Sequence, residues 1–297
     1  MLIEQHITAG HIHPSSFPYA LPSFIIPKAD LSVLPHWVVD YRLLNKVTIP
    51  DAFPLSCIDN ILTDYAKGKI WGKINMTNSF FQTHILPEHI KFTAILTHFG
   101  LWEWIVMLMD CHNAPAIHQQ CISLALKDHI EKICHVYLDD IIIWSQSLEE
   151  HKENVAAILA TLRNACLYCS MKKSNLFCSE IDFLGHHISA CGIEADSSKV
   201  QQIMNWPHPC NAKEVRHFLG LVRYISVFLL QLAEPTSVLS PLTHKECNTD
   251  FPLWTPDHQV TFEAIKGLVL SCDCLTTIDH VSPGNNRIFV ICDATKC

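Results

Sequence analysis

Two apolar runs set the first structural expectation: Val136-Tyr137-Leu138 and Ile141-Ile142-Ile143-Trp144 flank the adjacent aspartates Asp139 and Asp140. Short apolar runs on either side of polar turn residues predict a β-hairpin with carboxylates at its tip. The period then changes. Ser147-Leu148-Glu149-Glu150 has the form of a capping box, and Val155, Ile158, Leu159, Leu162 and Cys166 recur on one helical stripe.

Upstream, the first 55 residues are broken by Pro14, Pro18, Pro22, Pro27 and Pro35 and read as strands and loops, because proline removes a donor and disfavours helix before it. Trp37-Val38-Val39 is β-prone, Ile58 to Tyr65 reads as a short helix, and Ile70 to Ile74 as a strand entering a polar cluster at Asn75. Downstream, Ile181 to Ile188 reads as a β-hairpin edge. Helices are expected to begin near Asp196, near Asn211 with Glu214 three positions on, and at Thr255-Pro256, so the region past about 190 is mainly helical. Arg287 to Asp293 reads as a strand ending in an aspartate, with only four residues after it, which predicts a truncated domain.

Composition narrows the class. The 297 residues are 49% hydrophobic and 17% charged, which excludes wholesale disorder and leaves room for two or three subdomains. No apolar run approaches the roughly 18 residues that span a bilayer, and Met1 to Gly10 lacks the basic and apolar segments of a secretory signal. An intracellular protein of cytoplasm or nucleus is therefore expected, neither secreted nor membrane-bound. Its 14 cysteines are expected as reduced, mostly buried thiols. The net charge of −8 is unfavourable for gripping a polyanion, although it leaves room for a local basic groove.

Two adjacent aspartates are costly to desolvate, because like charges repel and each carboxylate must be paired. On residues alone the pair reads either as a solvated turn or as oxygen ligands for Mg²⁺ beside an open groove, an arrangement suited to phosphoryl transfer. Cys166-x-x-Cys169 with Cys178, His186 and His187 has the residue types of a zinc site but not its paired spacing, and incidental thiols are the favoured reading.

The order of further motifs decides between these readings. The chain carries Val39-Asp40-Tyr41-Arg42-Leu43-Leu44-Asn45, Lys73-Ile74-Asn75-Met76, Ser79-Phe80-Phe81-Gln82, Lys91-Phe92-Thr93-Ala94, Asn113-Ala114-Pro115-Ala116, Tyr137-Leu138-Asp139-Asp140, Phe183-Leu184-Gly185-His186 and Phe218-Leu219-Gly220-Leu221. In that order and spacing it resembles the reverse transcriptase of gypsy-type LTR retrotransposons over nearly its whole length. The resemblance implies an α+β right-hand polymerase: fingers and palm over 1–190, a helical thumb over 191–250, and a connection with a truncated RNase H-like sheet over 251–297. It implies RNA-directed DNA synthesis from deoxynucleoside triphosphates on a primed RNA or DNA template, with two Mg²⁺ ions.

By the same resemblance, Asp139 and Asp140 are metal-binding catalytic positions. Phe80 lies beneath the incoming sugar, Arg42 and Lys91 bind nucleotide or template, Phe183 to His186 hold the primer end, and Asp293 is the first carboxylate of RNase H. Departures from the family pattern lower the expected activity. Asn75 stands where the family has an aspartate that ligates both ions, a loss expected to slow catalysis on the order of a thousandfold, about 4 kcal/mol in the barrier. Asp110 replaces a glycine that lets backbone approach the nucleotide, and His13 and His36 stand where arginines are usual. The expectation is an impaired polymerase and a remnant of a mobile element. The alternative is a non-catalytic nucleic-acid-binding protein using Lys172, Lys173, Lys199, Lys213, Arg216 and Arg223.

Overall fold

The structure is a computed structural model that describes residues 2–27, 35–229 and 231–270. These form two compact units, the first made of residues 1–61 and 70–178 and the second of residues 62–69 and 179 onward. In chain order the first unit holds α1 (Leu2–Thr8), β1 (Ile12–Pro14), β2 (Ser23–Ile26), β3 (His36–Val39) and α2 (Arg42–Val47). Helix α3 (Ile58–Tyr65) passes from one unit to the other, and then come β4 (Ile70–Asn75), α4 (Pro87–Ile90), β5 (Ile95–Thr97) and β6 (Gly100–Trp104). The unit ends with α5 (Ala114–Ala125), β7 (Cys134–Tyr137), β8 (Asp140–Ser145), α6 (Leu148–Asn164) and β9 (Asn175–Cys178).

The central element is a four-stranded antiparallel sheet in the order β7-β8-β4-β9. Strand β8 is buried from Ile141 to Ser145, which explains why it reads as an unbroken apolar run and not as an alternating one. Ile141 and Ile143 join Ile74, Met76, Val136 and Cys134 of the sheet with Ile122 and Leu126 of α5 and Val155, Ile158 and Leu162 of α6 in one core. Helix α6 begins as its sequence predicts. The Ser147 hydroxyl accepts from the Glu150 amide at 3.2 Å, and the Glu150 carboxylate reaches back to the Gln146 amide at 2.8 Å.

A second core in this unit gathers Ile12, Val39, Tyr41, Ile95, Trp104, Val106 and Leu108 around the β1-β6-β5 sheet, with Trp37 and Phe81 packed against it. Helix α1 lies here and departs from the all-extended expectation for the first 55 residues. Ile3 packs on this core, and the His6 ring sits 4.8 Å from Trp104, 5.7 Å from Trp37 and 5.8 Å from Phe81, so tertiary contacts hold a helix that carries no cap signal in sequence.

The second unit holds a three-stranded antiparallel sheet of β10 (Glu180–Phe183), β11 (His186–Ser189) and β12 (Gly192–Ala195), then α7 (Ser197–Met204), α8 (Ala212–Tyr224), α9 (Ala233–Leu239) and α10 (Pro256–Leu270). The Asp196 and Asn211 side chains cap α7 and α8 by accepting from the Ser198 and Glu214 amides. Phe218 of α8 packs on Phe262 of α10 at 4.6 Å, within a buried set that includes Val215, Val222 and Ile265. The 180–189 hairpin groups with the helices that follow.

Two expectations about cysteine need correction. Of the ten described cysteines, all free, only Cys134 is buried, whereas Cys57, Cys166, Cys191 and Cys210 are exposed. Cys166 is not on the apolar stripe of α6: the helix ends at Asn164, and Cys166 turns away with φ 55°. Among the described residues no helix is long and apolar enough to cross a membrane. The strand expected at 287–293 lies outside the described residues.

Burial within its aromatic cage, aided by His11, pushes the His6 imidazole down to about 4. At pH values between that and about 6.5 the unfolded chain therefore binds the extra proton, so this contribution to stability is complete above about 6.5 and is lost as pH falls toward 4. Chemical denaturation across that window is expected to show the loss, and His6→Gln to flatten it.

Candidate active site

The hairpin tip is placed by pairing and then braced from α5. Strands β4 and β8 run antiparallel with Asn75 opposite Asp140, and β7 and β8 meet at Tyr137 and Asp140. Leu138 and Asp139 make the turn, with Asp140 as the first residue of β8, and the Met76 amide donates to the Asp139 carbonyl at 2.9 Å. Leu138 adopts φ 51°, a left-handed conformation that is strained for a branched residue. Gln119, 1% exposed, holds it there: its carbonyl accepts from the Leu138 amide at 2.8 Å while its amide donates to Val136 O at 3.0 Å. Sequence reasoning missed Gln119, although it comes soon after the Asn113-Ala114-Pro115-Ala116 run.

The carboxylates are met by protein donors. Asn75 Nδ2 donates to Asp140 Oδ1 at 2.9 Å, and Ser79 Oγ donates to Asp139 Oδ1 at 2.6 Å. The amide orientation at Asn75 is set by chemistry, since turning its oxygen toward Asp140 would place two acceptors against each other. His118 of α5, 1% exposed, places Nε2 at 3.5 Å from Asp139 Oδ1 and its ring 5.2 Å from Phe80. Burial lowers its affinity for a proton and Asp139 opposes this in part, with a net shift downward, so at neutral pH the contact is between a neutral imidazole and a carboxylate.

The structure thus brings together Asn75, Phe80, Asp139 and Asp140 and adds Ser79 and His118, which sequence reasoning did not single out. Arg42 is committed elsewhere. Its guanidinium, 86% exposed, makes a two-pronged pair with Asp40 at 2.9 and 2.6 Å, and this holds the Asp40 carboxyl down at about 2. Lys91 lies 5.2 Å from the ring of Phe92. Asp110 is half-buried, and burial raises its carboxyl above the ordinary range. His13 faces Glu103 at 3.7 Å.

Phe183, Leu184, Gly185 and His186 belong to the second unit. Phe183 is buried beside Tyr65, the turn uses φ 46° at Leu184 and 70° at Gly185, and the Tyr224 hydroxyl donates to Leu184 O. Asp293 lies outside the described residues.

Comparison with known proteins fixes the family. The profile described as "Reverse transcriptase (RNA-dependent DNA polymerase)" matches residues 26–188. The chain belongs to this family. Among its relatives are the retrovirus-related Pol polyproteins of two Drosophila melanogaster transposons. The one from opus is 36% identical over 81% of this chain and 24% of its own length, and the one from gypsy is 30% identical over 81% and 23%. The chain spans about a quarter of the length of these curated relatives and is of the gypsy type. A foamy viral protease-reverse transcriptase solved with double-stranded DNA superposes with a TM-score of 0.85 at 25% identity, over 94% of this chain and 48% of its own. The mixed helix and sheet architecture fits a polymerase fold.

Reverse transcriptases generally use divalent metal ions. The residues present here do not fit a two-ion centre. Two carboxylates remain, one oxygen of each is already occupied by a protein donor, and at position 75 the group facing Asp140 is an N–H and not an oxygen. Among the described residues no group of three or more His, Cys, Asp or Glu is arranged to hold a metal ion.

Replacing Asn75 by Asp removes the donor to Asp140 and sets two carboxylates side by side. In chelator, Asn75→Asp is expected to destabilise the protein by about 1–3 kcal/mol, read as a lower urea midpoint with an unchanged slope.

Proposed function

We propose that the chain is the polymerase portion of a retrotransposon reverse transcriptase in which nucleotidyl transfer to a primer 3′-hydroxyl is impaired. The observation that carries this reading is the Asn75 amide donating to Asp140 where the family pattern has a third carboxylate. Asp139 and Asp140 are the remaining members of the ancestral catalytic set. Phe80, whose ring meets that of His118, serves as the floor of a nucleotide sugar site. Lys91 serves in contacts to nucleotide or template. Arg42 has a weaker claim on that role because Asp40 already neutralises it. The Phe183 to His186 turn serves the primer end. We assign 1–190 to fingers and palm, 191–250 to thumb, and the remainder to a connection and the start of an RNase H-like part containing Asp293.

A second reading is favoured by one feature of the second unit. A groove of about 640 Å³ between α7 and α8 is lined by Lys199, Gln202, Trp206, Arg216, His217 and Tyr224, cations and aromatic rings of the kind that contact a nucleic-acid backbone and bases. Arg216 already donates to Thr243 O and Asn248 Oδ1, which leaves Lys199 as the better test position. Nucleic acid would then be held without chemistry. The foamy viral protease-reverse transcriptase solved with double-stranded DNA holds a partner of that class.

In primer extension, the unmodified protein is expected to run at least on the order of a thousandfold below a working reverse transcriptase. Extension by the unmodified protein at close to the rate of a working reverse transcriptase, lost in Asp139→Asn, would overturn the impairment. Binding to a primer-template duplex is expected to weaken as salt rises and, at low salt, to weaken further in Lys199→Glu. Absence of binding even at low salt removes the second reading.

A further inference from the structure

Three side chains from three different elements converge on the Asp139-Asp140 turn. Ser79 comes from the single 3₁₀ turn Ser79–Gln82, His118 from α5, and Asn75 from the end of β4. Ser79 and His118 are both buried and both aim at the same oxygen, Asp139 Oδ1, from 2.6 and 3.5 Å, while Asn75 takes Asp140 Oδ1 at 2.9 Å. His118 Nε2 is buried and makes no hydrogen bond among the described residues, with the Asp139 carboxylate 3.5 Å away.

We propose that Ser79 and Asn75, with the His118 imidazole packed beside them, form a clamp that engages one oxygen each of the Asp139 and Asp140 carboxylates in place of a divalent cation. Restoring a carboxylate at position 75 alone then does not restore ion binding. The proposal rests on the impaired-polymerase reading of this site and names what maintains the impairment. A cation that uses Asp139 Oδ1 has to displace the Ser79 hydroxyl and sit beside the buried His118 imidazole, whose Nε2 is 3.5 Å from the same atom. Mg²⁺ tolerates neither well, because it demands near-octahedral oxygen ligation at about 2.0–2.1 Å. Phe80 packs against the His118 ring, with centroids 5.2 Å apart.

Mn²⁺ binding followed by electron paramagnetic resonance tests the clamp on the unmodified protein, Asn75→Asp, Asn75→Asp/Ser79→Ala, and Asn75→Asp/Ser79→Ala/His118→Phe. Asn75→Asp alone is expected to bind Mn²⁺ little better than the unmodified protein. The triple variant is expected to bind at least about tenfold tighter than Asn75→Asp, the factor that freeing one hydrogen bond corresponds to. Equal affinity of the single and triple variants, whether both bind or neither does, overturns the clamp. Circular dichroism reports whether the triple variant folds. If it does not, the Asn75→Asp/Ser79→Ala variant decides, with tighter binding than Asn75→Asp expected and no gain overturning the proposal. Primer extension by the unmodified protein bears on the impairment alone, so the two ideas fail separately.

Discussion

The antiparallel pairing of β4 with β8 is the constraint on which the rest of the first unit depends. It sets Trp71 opposite Trp144 at one end and Asn75 opposite Asp140 at the other. Because side chains alternate across a strand, a slip of one residue would turn Ile74, Ile141 and Ile143 out of the core and carry Asn75 away from the turn at the same time. The core that α5 and α6 build on this sheet therefore fixes the geometry of the polar end.

That polar end holds two neighbouring carboxylates at a strained hairpin tip. A turn of this kind needs a compensating partner for each charge and a brace for the backbone. Both are supplied from within the chain. Gln119 spans the tip by bonding to Val136 and Leu138, while Ser79 and Asn75 donate to the two aspartates. The reverse transcriptase framework thus carries, at this turn, hydrogen-bond donors set against one oxygen of each acid. Folding and catalysis place separate demands on such a turn, and the residues here meet the first.

Much of the local structure was legible because its causes are local. The Ser147/Glu150 and Asn211/Glu214 caps, the proline in the first turn of α10 and the hairpin at 134–145 are each specified within a few neighbouring residues. Helix α1 was not, since its support comes from Trp37, Phe81 and Trp104, far along the chain. The exposed cysteines were misjudged for a related reason: thiol composition reports average burial, whereas the position of a turn decides it for Cys166.

By itself the sequence determined the family, through ordered motifs, and it pointed to Asn75 as a position to look at. Only the tertiary structure decided what Asn75 touches. Ser79 lies 60 residues from Asp139 and His118 lies on another helix, so neither their convergence nor the direction of the Asn75 amide could be read from spacing. Likewise, Arg42 was legible as a cation but not as the partner of Asp40. Hydrogen bonds and ion pairs depend on distance and angle between groups, and those are set when sheet register and helix packing bring distant segments together.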